Sequence, residues 1–482
     1  MANSISSELP NVIFAEASVH SIGGQSVFSV SSKITSETVQ HYHSKEDLVL
    51  KAVSKLKDNG FEVLNVGDVS ISIAASLQTY EKVFNTSIVP KEREVKGIAG
   101  KSSTTILDST NSGMLGLINT DKSPLADVLE GVAIGERVFY YAPTVMMAER
   151  PFATPPQKDY YHLEPPQDLV KLLHAEGVHQ SGITGHGIKV VMVDSGFYKH
   201  PFFDKHNFRS NQVVLGPGAA DPEHDEIGHG TGESVNIFSL APNVDFTMVK
   251  INLFNSTGAF NAAVALNPDI ITCSWGIPIE GSVLSGFDKV LEAAVANAVS
   301  HGITVVFSAG NGQLSFPGMH PDVISVGGVF VREDGTMQAT PYASGFQSRV
   351  YPNRQSPDIC GLVGLPPQAA YIMLPVEPGD QIDNDLSGDI HPRGDETSPS
   401  DGWAAFSGTS AAAPQIAGIC ALIKQANRNL NPFQIREILQ RTARDVTEGR
   451  SAQNPALPGP DLATGSGLID ASRAIDEAKR MG

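Results

Sequence analysis

The chain has 482 residues, of which 41% are hydrophobic and 18% charged, a composition that can bury a sizeable core and lacks the polar bias of disordered chains. Its 34 Lys and Arg against 52 Asp and Glu leave a formal net charge of −18, which favours solubility, repels phosphate backbones and argues against nucleic acid as a partner. No apolar stretch is long enough to span a bilayer, so no membrane partner is expected, and the length exceeds what one core usually organises, so a larger and a smaller unit are expected.

The amino terminus has neither a basic start nor an apolar run, so no secretory signal is read there and a cytoplasmic location is expected. The three cysteines, Cys273, Cys360 and Cys420, are odd in number and scattered, which argues against a disulfide framework and for a reducing compartment. Cys273 and Cys420 lie in apolar contexts that predict simple packing.

Residues 1–142 read as a small α+β unit. Ser44 is expected to cap a helix carrying Glu46 and Asp47 in its first turn; Leu48, Val49, Ala52, Val53 and Leu56 form its apolar face, and Gly60 stops it. Strand-like runs at 61–66 and 69–74 follow, then a short helix at 77–84, an order that fits helices packed on one face of a small sheet. Residues 143–174 form a linker punctuated by Pro143, Pro151, Pro155, Pro156, Pro165 and Pro166.

Residues 175–482 read as one large α/β unit. Val- and Ile-rich runs at 188–193, 246–251, 269–274, 303–308 and 323–326 predict parallel strands. A helix over 285–301 places Phe287, Val290, Leu291, Ala294, Val295, Ala298 and Val299 on one face, with Gly302 beyond its end. The expected fold is a mostly parallel sheet flanked by helices on both sides.

Four polar residues stand at informative places in this region. Asp194, in Val191-Met-Val-Asp194-Ser-Gly196, ends the first strand, where functional groups collect in open α/β sheets. Taken alone it also reads as a turn aspartate. His229 lies in Gly228-His-Gly-Thr-Gly232, whose glycines would let a substrate and the imidazole approach the same backbone, and leads into a helix toward Leu240. Alone, it is equally a structural or loop histidine.

Ser410, in Phe406-Ser-Gly-Thr-Ser410-Ala-Ala-Ala-Pro414, is expected to open a largely buried helix with Pro414 in its first turn. A nucleophile there would sit beside backbone donors and the positive end of the helix dipole; an ordinary serine cap is the plainer alternative. Asn311, in Phe307-Ser-Ala-Gly-Asn-Gly312, follows a central strand and offers a neutral donor to an oxyanion, although Asn-Gly is also a turn. Their joint occurrence in one α/β region, in the order Asp, His, Asn, Ser, is the signal that single motifs lack.

On these motifs, residues 175–482 resemble the catalytic domain of the subtilisin-like serine proteases, the subtilases. The resemblance implies a serine endopeptidase with Asp194, His229 and Ser410 as catalytic triad and Asn311 as oxyanion donor. It implies that Ser274-Trp275-Gly276 and Ser308-Ala309-Gly310 line the pocket for the substrate residue before the cleaved bond, and that 431–444 and 465–471 are the family's carboxyl-terminal elements. Gly232 stands where the family has a second histidine, and 251–267 is shorter than the family's corresponding segment.

The amino-terminal unit resembles the ferredoxin-like propeptides of subtilisins and sedolisins. Sedolisins pair their serine with Glu and Asp and use an aspartate at the oxyanion position, so His229 and Asn311 place the chain with the subtilisin branch. This implies a precursor whose amino-terminal unit inhibits its own catalytic unit until cut away, protein or peptide substrates, and no cofactor or metal in the chemistry.

Other readings are weaker. His224 and His229 are five apart and lack the His-Glu-x-x-His pattern of a zinc enzyme. Asp380, Asp383, Asn384, Asp385 and Asp389 offer oxygens for a structural calcium ion but miss the EF-hand glycine and terminal glutamate, and a solvated acidic loop is the alternative. A catalytically silent peptide-binding pseudoprotease is the non-enzymatic reading, against which all four catalytic positions are chemically competent. His200, His206 and Trp403 read as loop or packing residues.

Overall fold

The computed structural model describes residues 10–97, 100–139, 151–279, 281–365, 372–391 and 393–481. Residues 143–150 of the expected linker, and residues 1–9 of the amino terminus, lie outside the described residues.

In chain order the first part comprises β1 (Ile13–Val19), α1 (Glu46–Asp58), β2 (Glu62–Val66), β3 (Ile71–Ala75), α2 (Leu77–Phe84), a hairpin of β4 (Ile88–Gly97) and β5 (Gly100–Ser109), β6 (Leu117–Ile118) and β7 (Leu129–Ile134). An antiparallel sheet orders five of these as β2-β3-β1-β7-β6. Ser44 does not cap α1. Lys45 holds the N-cap position, and Ser44 Oγ donates instead to Val19 O at 3.0 Å, tying the helix start to β1. At the other end Gly60 adopts φ +86°, a conformation that suits glycine at a helix stop. Ala52, Leu56, Tyr80 and Phe84 from the two helices pack with Ile13, Ala15 and Ile73 of the sheet.

The second part alternates strand and helix: β8 (Lys189–Asp194), β9 (Val214–Leu215), α3 (His229–Leu240), β10 (Asp245–Lys250), α4 (Ser256–Ala265), β11 (Ile270–Cys273), α5 (Gly286–Ser300), β12 (Thr304–Ser308), β13 (Ile324–Val331), β14 (Met337–Ala339), β15 (Ile359–Leu362), α6 (Thr409–Ala426), α7 (Pro432–Thr442) and α8 (Ala471–Arg480). Its main sheet runs β14-β13-β12-β11-β8-β10-β9, with β15 also along β13, and only the β13–β14 pair is antiparallel. Successive strand residues point to opposite faces. In β8, Val190 and Met192 accordingly enter the core shared with α3 and α6, while Val191 and Val193 enter the core shared with α4 and α5. The fold is thus the subtilisin-like α/β arrangement, preceded by a small α+β region.

The two parts share one apolar core. Val27, Phe28, Ile34, Val39 and Tyr42 pack in the same cluster as Phe287, Val290 and Leu291 of α5. Polar groups are buried with them: Lys289 Nζ donates to Ser32 O at 2.7 Å and pairs with Glu292, whose Oε1 accepts from Tyr351 Oη at 2.7 Å. Among the described residues no helix is long and apolar enough to cross a membrane.

Lys289 and Glu292 are both almost completely buried, so removing one partner strands the other's charge. Lys289→Ala is expected to destabilise the chain by about 3–5 kcal/mol. The joint change Lys289→Met with Glu292→Gln recovers most of that loss, as thermal unfolding in a Ser410→Ala background would show.

Candidate active site

Asp194 is the last residue of β8 and is fully buried; its Oδ1 accepts from Ser195 N and from His229 Nδ1, both at 2.7 Å. His229 is the first residue of α3, so the helix itself carries the imidazole to the end of the central strand. The flanking glycines allow neighbouring segments to approach the histidine closely. A Cβ on Gly230 would collide with Gly196 O, and one on Gly228 would collide with the Asp380 carboxylate. Gly228 and Gly196 also adopt φ of +83° and +153°.

Asp225 clamps the histidine segment from below. Its Oδ2 accepts from Thr231 N at 2.8 Å and from Thr231 Oγ1 at 2.7 Å, and its Oδ1 accepts from Gly228 N at 3.1 Å. Sequence reasoning missed Asp225, because nothing local distinguishes it from the acids around it. The zinc alternative finds no geometric support: His224 pairs with Glu377, whereas His229 pairs with Asp194.

Ser410 is the second residue of α6, which opens at Thr409 rather than at the serine. Pro414 consequently falls in the second turn, inside the helix, and not in the first turn as expected. Its missing N–H leaves the carbonyl four residues back without its usual donor. That carbonyl belongs to Ser410, and it accepts instead from Ser274 Oγ at 2.8 Å. Ser410 Oγ in turn donates to Ser274 O at 3.0 Å, so the two serines are tied by a reciprocal pair of bonds.

Asn311 follows β12 and is oriented from the same helix. Its Oδ1 accepts from Thr409 N and from Thr409 Oγ1, both at 3.0 Å, which fixes the carboxamide with its Nδ2 donor on the opposite side. Thr409 Oγ1 also accepts from Gly310 N at 3.2 Å, and Gln313 Oε1 accepts from Asn311 N at 3.1 Å. The role of Thr409 was legible as the threonine of Ser-Gly-Thr-Ser but was not singled out.

His229, Ser410, Asn311, Ser274, Trp275, Gly276, Ser308 and Gly310 line one cavity of about 220 Å³. Ala309 is fully buried and stands off that wall. The Trp275 indole points into the core, where Nε1 donates to Val193 O at 2.8 Å. The acidic run near residue 380 is solvated only in part: Asp385 and Asp389 are exposed, whereas Asp380 and Asp383 are not. Asp380 caps a short helix, Gln381–Leu386, and Asp383 Oδ2 accepts from Gly379 N at 2.9 Å and Gly402 N at 3.0 Å, both acids being buried. No group of three or more His, Cys, Asp or Glu among the described residues is arranged to hold a metal ion.

Burial disfavours a charged imidazole at His229. The Asp194 charge and hydrogen bond outweigh that effect, helped by Glu233 and Asp225, and hold the pKa up at about 9. The imidazolium is therefore favoured below that pH and the neutral base above it. In Ser410→Ala protein the His229 ring resonance is expected to titrate near pH 9 rather than near the ordinary 6.5, and Asp194→Asn to lower the midpoint.

Residues 185–467, more than half of the chain, match the model of the subtilase family. An alkaline protease of Alkalihalobacillus alcalophilus is 26% identical over 63% of this chain and 68% of its own length. Subtilisin Savinase of Lederbergia lenta is 25% identical over 63% of this chain and 97% of its own length. In fold, the chain is similar to fervidolysin of Fervidobacterium pennivorans, a keratinolytic enzyme related to subtilisin (TM-score 0.56, 17% identity). That match covers 98% of this chain but spans only 62% of fervidolysin. Pseudomonas sedolisin, a serine-carboxyl proteinase, is similar over 67% of this chain and 99% of its own length (TM-score 0.51, 18% identity). On the family match and its subtilisin relatives, the chain belongs to the subtilase family of serine endopeptidases.

Proposed function

We propose that the chain is made as a precursor peptidase that cleaves protein or peptide substrates through Asp194, His229 and Ser410, with Asn311 at the oxyanion. The observation that carries this reading is the cavity lined together by His229, Ser410 and Asn311, with His229 bonded to Asp194 behind its wall. In the proposed cycle, the Ser410 hydroxyl turns from Ser274 O to the imidazole and gives it the proton as Oγ bonds to the substrate carbonyl carbon. The carbonyl electron pair moves to oxygen, where Asn311 Nδ2 and the Ser410 amide stabilise it. Collapse expels the amine, which takes the proton from His229, and leaves an acyl-enzyme that water hydrolyses by the same route. No cofactor enters these steps.

The inhibitory role of the amino-terminal unit rests on Phe139. It forms an antiparallel bridge with Gly276, donates its N–H to Gly276 O at 3.5 Å and lines the same cavity. Gly276 lies two residues after Ser274, whose carbonyl is 3.0 Å from Ser410 Oγ, so the Phe139 contact is made on the segment that also holds the serine hydroxyl. A reducing cytoplasm fits this reading, since Cys273, Cys360 and Cys420 are free and buried.

A fluorophosphonate is expected to label processed wild-type protein and leave Ser410→Ala unlabelled. Unlabelled wild type that still binds peptide would replace the peptidase with a silent binder. Asn311→Ala is expected to lower kcat by roughly a hundred- to thousandfold, the loss seen when subtilisin gives up its own oxyanion asparagine.

Mass spectrometry of wild type is expected to show a new amino terminus between Ala142 and Pro166 that Ser410→Ala lacks. The cut fragments are expected to co-elute on size exclusion, because they share the core around Phe287. A chain that never shortens would make the amino-terminal unit a permanent module.

A further inference from the structure

Glu233 is a residue that the motifs pass over. It stands four residues after His229 on α3, so the two side chains leave the same face of the helix, and both line the cavity that also holds Ser410 and Asn311. Glu233 is completely buried. Its Oε2 accepts from Asn236 Nδ2 at 2.8 Å, whereas its Oε1 has no hydrogen-bond partner among the described residues.

The anchor on the Oε2 side is itself fixed. Asn236 Oδ1 accepts from Gln415 Nε2 at 3.3 Å; Gln415 donates to Leu362 O at 3.0 Å and accepts from Leu362 N at 2.8 Å. Gln415 lies on α6, the helix that carries Ser410. The carboxyl is therefore held by the nucleophile's own helix while one oxygen stays uncompensated at the active-site cavity. A buried acid with a bare oxygen is destabilising, and an apolar side chain would fill the same space at less cost.

We propose that Glu233 is a second acidic positioning residue for His229, countering, alongside Asp194, the positive charge that the imidazole acquires when Ser410 releases its proton. This rests on the proposed peptidase reading, and it involves no covalent step: the proton passes from Ser410 to His229, and Glu233 acts only through its charge.

Among the described residues, ionisable groups face this pair from several elements. Asp194 bonds His229 from β8, Asp225 approaches from the loop before α3, and Asp385 and Arg393 line the cavity mouth, while α6 contributes the neutral Gln415. Burial raises the Glu233 pKa to about 8; the His229 charge opposes the rise and Asp194 adds to it. Glu233 is then a neutral acid at pH 7, and its ionisation at higher pH favours the proton on His229. Replacing it with a group that cannot ionise must lower the pH at which His229 becomes a base.

The test compares wild type and Glu233→Gln, which preserves shape and the Asn236 contact. The dependence of kcat/KM on pH is measured for the processed enzymes, and the His229 ring titration by NMR in the Ser410→Ala chain. Glu233→Gln is expected to move both midpoints down by about one pH unit or more, with KM little changed. A lower melting temperature with both midpoints unmoved would show a packing residue and overturn the proposal.

A second measurement needs no substitution at Glu233. In the Ser410→Ala chain with Glu233 intact, the His229 resonance is expected to follow a two-step curve, because coupled sites release protons jointly. A single one-proton step overturns the proposal as well. Absence of fluorophosphonate labelling in wild type would instead defeat the peptidase reading and leave the coupling still measurable.

Discussion

The hydrogen bond from His229 Nδ1 to Asp194 Oδ1, 2.7 Å long, joins segments 35 residues apart, and the local architecture is arranged around it. A carboxylate at a buried strand end is tolerable only with partners, and here these are the imidazole and the Ser195 amide. For the ring to reach it, the first turn of α3 must lie against the turn after β8, backbone on backbone. Gly230 permits that contact, since a Cβ there would strike Gly196 O, and Gly196 in turn leaves room for His224 and Asp225 in the loop before α3. Asp225 then holds Thr231 and Gly228, so the histidine enters the helix in one orientation.

Ser410, the proposed nucleophile, is coupled to the cavity wall at Ser274 by an equally specific device. Pro414 deprives the Ser410 carbonyl of its helical donor, and Ser274 supplies the replacement. Ser274 belongs to the segment that also carries Gly276, the partner of Phe139. The helix bearing the hydroxyl and the backbone that would register a bound peptide are thus fixed to each other directly. Thr409, one residue before Ser410, sets the Asn311 carboxamide, so the proposed nucleophile and the proposed oxyanion donor are positioned by adjacent residues of one helix turn.

The amino-terminal sheet is held by more than a surface contact. It is covered by α1 and α2 on one side, and residues 27–42 share a core with α5. The buried Lys289–Glu292 pair, bonded to Ser32 and Tyr351, lies at the same junction. A segment anchored this firmly holds Phe139 against Gly276 at high effective concentration, which would let a modest strand contact occupy the cleft as the proposed inhibitory role requires.

The sequence by itself determined the parallel strands and the long helix of the large unit, because runs such as 188–193 and 303–308 are buried on both faces and need continuous apolar residues. It also marked Asp194, His229, Asn311 and Ser410, whose glycine-rich surroundings are dictated by close backbone approach. Only the tertiary structure decided the rest. The hairpin at 88–109 escaped notice because polar residues dominate both of its strands. Ser44 lost its capping role to the Val19 carbonyl, Pro414 moved into the second turn because Ser274 could satisfy the freed oxygen, and Asp380 and Asp383 left solvent to bond backbone amides. Asp225 and Glu233 were invisible for the same reason: their significance lies in groups that only folding brings beside them, and no local pattern encodes a partner supplied by another segment.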